Sequence, residues 1–392
     1  MTSKPKYIAL LVMILALITA CQGNQEATTT AETAAVKLPK TGQTLCYDAS
    51  GASISCTGTG QDGELLEGGT WANPRFTDLS NGTMLDNNTG LIWPQDANAP
   101  GPAACIPTTT KSWQAALVYV KCLNANSYLG FTDWRLPNVL ELVSLVNASQ
   151  SNPSAWLIAQ GFTAVQADSY WSSSSAADDP SSARCVGMDG GDVDENDKSD
   201  SGYVWPVLSA QAGSFEYLPP RTGQTLCYDS TGAMTACTGT GQDGDTLTGA
   251  VWRNPRFTDL ANGTMQDNLT DLIWSKDASA PGPAACTPAT TKDWQASHDY
   301  VKCLNTNSYL GFADWRLPNR IELSSLVDYA QLNQAAWLVG LGFTGVQSAF
   351  YWSSSSSADS PSDAWGVDMG DGDGDNDDKS YSQHVWPVRS GQ

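Results

Sequence analysis

Two hydrophobic rhythms divide this chain into helices and strands. In KSWQAALVYVKCLN, Trp113, Ala116, Leu117, Val120 and Leu123 fall three and four residues apart. That spacing puts apolar side chains on one helical face. Soon after it, Pro137-Asn138 opens a second helix, with Asn138 at the cap and Glu141 at the third position, a capping box that Asn319 and Glu322 repeat. Elsewhere, short extended runs are separated by turn residues. FTDLSNGTMLDNNTGLIW carries Asn81-Gly82 between two such runs and a further turn at Asn88-Thr89-Gly90, which predicts hairpins. YWSSSS and VWPV predict strands, with Pro206 and Pro387 confined to an edge or a strand end. The acidic stretch VDMGDGDGDNDDK, Val367 to Lys379, lies between Trp365-Gly366-Val367 and His384-Val385-Trp386, and is expected as a hairpin tip.

A third pattern occupies the amino terminus. Lys4 and Lys6 precede an unbroken apolar run from Ile8 to Ile18. A membrane-spanning helix needs about 20 residues, so residues 1–20 read as a signal peptide. Its end, Leu17-Ile18-Thr19-Ala20-Cys21, resembles the bacterial lipobox, in which the cysteine becomes the lipidated first residue. Gln22 at the next position implies, by the same resemblance, the outer membrane or cell surface. Residues 21–37 form the expected tether; Gln22 to Ala35 holds no large apolar residue to offset ordering entropy.

The rest of the chain is written twice. TGQTLCYD begins at Thr41 and Thr222, NPRFTDL at Asn73 and Asn254, and YWSSSS at Tyr170 and Tyr351, a constant offset without gaps. Two α+β domains, 38–209 and 222–392, are therefore expected around a linker at 210–221. Cys46, Cys56, Cys105 and Cys122 recur as Cys227, Cys237, Cys286 and Cys303. The hairpin around YDASGASIS would bring Cys46 to Cys56, leaving Cys105 to tie its Pro-rich loop to Cys122 on the following helix. Disulfides suit an exported chain; a zinc site would call for tight C-x2-C pairs, which are lacking. Cys185 has Gly366 as its counterpart and is either a free thiol or a crosslink.

FTDLSNGTMLDNNTGLIW, GFTDWRLPN, YWSSS and VWPV, in that order, resemble the C-terminal domain family of collagen-like adhesins, the Lcl C-terminal domain. The resemblance implies a C-type-lectin-like α+β body in each copy, with two helices and small antiparallel sheets, and a surface or secreted binding role. One member of that family engages sulfated glycans. This chain departs from that pattern: it has no collagen-like repeats, and its net charge is −21. Without Lys4 and Lys6 the balance is 18 basic against 41 acidic residues, or −23. Such a field repels nucleic acid and sulfated chains unless a basic patch intervenes, and none is visible in the sequence.

Candidate chemistry is sparse. The only histidines, His298 and His384, align with Leu117 and Tyr203, so a function shared by the copies does not use histidine. His298 reads as a surface residue of its helix. Ser172 to Ser175 lack a G-x-S-x-G elbow and read as a half-solvated strand. Arg135 and Arg316 are expected to bridge carboxylates such as Asp133 or Glu141 inside the fold. The tryptophans, seven of whose first-copy positions recur in the second, read mostly as core; Trp171 and Trp352 are the alternative candidates for stacking on a sugar. The acidic stretches read first as solvated tips; in the alternative reading Asp192, Asp194, Asp371, Asp373 and Asp375 are candidate calcium ligands, because D-x-D-x-D spacing with glycines supplies closely set oxygens. The expectation is a lipid-anchored, non-enzymatic surface binding protein with a glycan or protein ligand. A structural envelope protein is the alternative, and a lectin-fold enzyme a more distant one.

Overall fold

Asn138 accepts a hydrogen bond from the Glu141 N–H at 2.9 Å, and the Glu141 carboxylate accepts from the Asn138 N–H at 2.8 Å. The same reciprocal cap joins Asn319 and Glu322, so the second predicted helix starts where the sequence places it in both copies. The structure, a computed structural model, describes residues 35–209, 215 and 217–391. Cys21 and the signal segment lie outside the described residues.

The first copy runs β1 (Cys46–Tyr47), β2 (Ser53–Ile54), α1 (Asp62–Leu65), β3 (Phe76–Asp78), β4 (Thr83–Asp86), β5 (Ile92–Pro94), α2 (Trp113–Ala125), α3 (Val139–Val143), α4 (Pro153–Ala159), β6 (Ser169–Ser175), β7 (Ser182–Gly187) and β8 (Val193–Asp197). The second repeats it as β9 (Cys227–Tyr228), β10 (Met234–Thr235), α5 (Asp243–Thr246), β11 (Phe257–Asp259), β12 (Thr264–Asp267), β13 (Ile273–Ser275), α6 (Trp294–Thr306), α7 (Arg320–Ser324), α8 (Gln334–Gly340), β14 (Phe350–Ser356), β15 (Asp363–Asp368) and β16 (Gly374–Asp378), and adds β17 (Val388–Arg389). These are two tandem domains of small antiparallel sheets and few helices. α2 buries Trp113, Ala116, Leu117, Val120 and Leu123, the face its periodicity predicts. All four disulfides form as read: Cys46–Cys56, Cys105–Cys122, Cys227–Cys237 and Cys286–Cys303. Each removes loop-closure entropy from the unfolded chain, worth about 3 kcal/mol in that view of their action.

VWPV is extended but barely a strand. Proline lacks the N–H a ladder needs, so Val207 and Leu208 make single bridges to Arg135 and Ile92, and only Val388–Arg389 joins a sheet. The acidic stretch also departs from expectation. It does not turn between Val367 and His384: β15 pairs with β16, so its second half, Gly374 to Asp378, is itself a strand and only residues 369–373 form the turn. Backbone ladder bonds outweigh the poor strand propensity of Asp and Gly.

The two copies do not collapse separately. The described residues from Val36 onward form one compact unit. β8 and β16 meet at Val193 and Gly374, fusing six strands into a sheet ordered β14-β15-β16-β8-β7-β6. One apolar cluster includes Leu38, Val146 and Trp205 of the first copy and Val327, Tyr351 and Trp386 of the second.

The amino-terminal hairpins are exchanged. Lys198 of the first copy donates to the Asp229 carbonyl beside β9 at 3.3 Å, and Lys379 of the second donates to the Asp48 carbonyl beside β1 at 3.3 Å. The Ser175 N–H donates to the Gln224 side chain at 3.1 Å, and the Ser356 N–H to that of Gln43 at 2.9 Å. Because each contact recurs with the copies' roles reversed, the repeats are related as in an isologous dimer within one chain.

Candidate functional site

The predicted sugar-stacking residues are in the core. Trp171 and Trp352 are 1% and 0% exposed, and their indole N–H groups donate to the carbonyls of Lys111 at 2.8 Å and Lys292 at 3.0 Å. No face of either ring is free for a ligand. They belong with the large aromatics whose burial stabilises the domain.

The carboxylates read as calcium ligands are divided among different partners. The Asp373 side chain is ion-paired with Arg184, which also donates to the Asp371 carbonyl at 3.0 Å. The Asp371 carboxylate accepts from the Asp373 N–H at 3.0 Å, within the turn. Asp194 is pushed up to about 7 by burial, by a hydrogen bond with Asp192, and by the charges of Asp192 and Asp375. Among the described residues, no group of three or more His, Cys, Asp or Glu is placed to hold a metal ion. The five carboxylates are therefore not one donor set. Nor are they a wholly wet tip: Asp192, Asp194, Asp371 and Asp373 are half-buried where the copies meet, and Arg184 and Arg320 supply countercharge from inside. Arg320 donates to the Gly191 carbonyl and lies 3.6 Å above the Trp365 ring.

Other reactive side chains serve the frame. Arg135 grips Glu141 with two charge-assisted bonds of 2.6 and 2.7 Å, and Arg316 grips Glu322 with the same lengths. This is the internal bridge predicted for them. Ser172 to Ser175 are fully buried rather than half-solvated; the Ser174 hydroxyl donates to Asp243 of the other copy at 2.6 Å. His298 is not a surface residue. It is 1% exposed, edge-on to Trp294 with ring centroids 4.5 Å apart, and burial pushes it down to about 3. The exchanged hairpin causes this, since Gly60 of the first copy sits against its imidazole. Cys185 is a free, buried thiol, pushed up to about 12 by burial and accepting from the Asn196 amide at 3.2 Å.

An open feature lies on the outer face of α6. A groove of about 480 Å³ runs beside the Cys286–Cys303 bridge, lined by Thr290, Thr291, Asp293, Asp299 and Ser382 among others. A cleft of about 290 Å³ shares Thr290 and Thr291 with this groove and is lined also by Ser279, Gln347 and His384. Asp293 caps α6 by accepting from the Ala296 N–H at 2.7 Å. Asp299 is exposed, accepting from the Gln295 side-chain amide at 3.3 Å and making a long 3.8 Å ion pair with Lys302. The groove has a signal in the sequence. At the matched positions the first copy has Ile106, Ser112 and Val118 where the second has Thr287, Asp293 and Asp299. Two of these differences put a polar residue in place of an apolar one and the third adds a charge, while Ile106 and Val118 stay exposed, at 68% and 55%.

The profile of the Lcl C-terminal domain family matches residues 82–208 and 263–389. No curated protein is significantly similar to the chain.

Proposed function

The chain belongs to the Lcl C-terminal domain family, and on that premise we propose that it is a non-enzymatic binding protein tethered to the bacterial surface through lipid on Cys21, with a neutral glycan as its ligand. The α6 groove carries this reading. Its Thr and Ser hydroxyls and two carboxylates offer the closely set donors and acceptors that a polyhydroxylated chain satisfies. The strongly acidic surround disfavours a sulfated one. Small antiparallel sheets, few helices and two bridges per copy fit a C-type-lectin-like body. The burial of His298, Cys185 and Ser172 to Ser175 supports a role without chemistry at those groups.

A glycan array probed with the full chain, with and without calcium, tests the proposal. Retention on neutral glycans should fall when Asp299→Val installs the first copy's residue. Failure to bind any glycan or matrix protein would favour a structural envelope role instead.

A further inference from the structure

A second cleft lies where the two copies face each other, and its charge opposes that of the whole molecule. It is lined by matched pairs, Lys40 with Arg221 and Trp71 with Trp252, together with Arg75 and Arg320. Four cations thus line it, and no Asp or Glu is among the described residues that do. In a chain of net charge −21, that is a local inversion of sign. Lys40, Trp71, Arg221 and Trp252 are half-buried, while Arg75 and Arg320 are each only 6% exposed.

The cations are not equally engaged. Arg75 is satisfied by Asp86, through two bonds of 2.8 Å. Arg320 Nη1 and Arg221 Nε are buried with no hydrogen-bond partner. Leaving such donors buried and unanswered is unfavourable, the more so when they are charged, so native structures normally supply an acceptor. Asp192 and Asp375 act on Arg320 from the acidic turns, yet neither lines the cleft.

We propose that this seam cleft binds a small organic anion, a short-chain monocarboxylate, with Arg320 and Arg221 as its hydrogen-bond donors. Size and lining set the class. The cavity volume is about 40 Å³, room for roughly three waters and so for an anion of a few heavy atoms. Leu140, Val146, Ile321 and Val327 line the cleft and suit an alkyl tail, whereas a strongly hydrated inorganic ion would gain nothing from them. Guanidinium groups match the planar geometry of a carboxylate. A glycan does not fit, so the site is separate from the α6 groove.

Acetate is the probe. The full chain is titrated with sodium acetate against sodium chloride at constant ionic strength, following the Trp71 and Trp252 indole N–H resonances. Acetate should give a saturable shift that chloride does not. Arg320→Val, the residue the first copy carries at Val139, should weaken acetate binding about tenfold or more, the cost of one charge-assisted bond. If near-UV circular dichroism shows that this variant does not fold, Arg221→Gln at the half-buried rim is read instead, with the same expectation. No saturable shift, an equal response to chloride, or unchanged affinity in the folded variant would overturn the proposal.

Discussion

The Ser355 hydroxyl donates to the buried Asp62 carboxylate at 2.5 Å across 293 residues of sequence, and Ser174 donates to Asp243 in the mirrored contact at 2.6 Å. Each carboxylate also accepts from a threonine of its own copy, Thr41 or Thr222, at 2.6 Å. A serine strand of one copy is thus completed by the short helix of the other, and the tandem repeat behaves as a covalent dimer.

The pH dependence of stability follows from this pair. Burial, partly offset by these hydrogen bonds, pushes Asp62 and Asp243 up from 3.8 to about 6. A folded-state value above the unfolded one means that these groups stabilise the fold fully below about pH 4, and that this contribution is lost as pH rises through about 6. The gap corresponds to at most roughly 3 kcal/mol per carboxyl. Thermal melts should therefore show Tm rising as pH falls from about 7 to about 5. Asp62→Asn with Asp243→Asn should flatten that slope, and a slope unchanged by the pair would refute the assignment.

Gln224 should matter more than a polar residue usually does. Its side chain spans the seam, accepting from the Ser175 N–H at 3.1 Å and donating to the carbonyls of Ser175 and Tyr329. Gln224→Ala strands those buried backbone groups, and should cost about 2–4 kcal/mol in a urea titration. A loss below about 0.5 kcal/mol, the level of an ordinary surface change, would mean the seam is not closed in solution.

A single copy, residues 36–209, should not persist as a monomer. Its strand β6 would expose the Ser174 and Ser175 groups that Asp243 and Gln224 satisfy. Because the contact is reciprocal, two identical copies can satisfy one another by exchanging hairpins. Light scattering should report a dimer, whereas a monomer with a cooperative melt would show that exchange is dispensable.

Trp352→Ala should act on stability rather than on ligand binding. Emptying a fully buried tryptophan site costs about 3–5 kcal/mol. The variant should lose that amount by denaturant titration while any folded fraction keeps its glycan retention. Selective loss of binding at unchanged stability would restore the stacking role.

Much of the fold was legible because the information is local. A capping box spans four residues, a helical face repeats every three or four, and the bridges close short loops of 10 and 17 residues. The Arg135–Glu141 pair also lies within one short turn of chain. The candidate sites were less legible. Trp171 beside a serine run looks the same whether the next layer is solvent or protein, and His298 reads as a surface residue until a hairpin far away in sequence covers it.

The chain alone determines the duplication, the disulfide pairs, the helix starts and the acidic excess, since each rests on residue types at short, fixed spacings. Only the tertiary structure decides that the hairpins are exchanged, that the serine strands are interior, and that Lys40, Arg75, Arg221 and Arg320 line one cleft inside an acidic protein. Those outcomes depend on side chains tens to hundreds of residues apart reaching the same desolvated seam. A hydroxyl or guanidinium group carries no local mark of whether water or another copy will answer it.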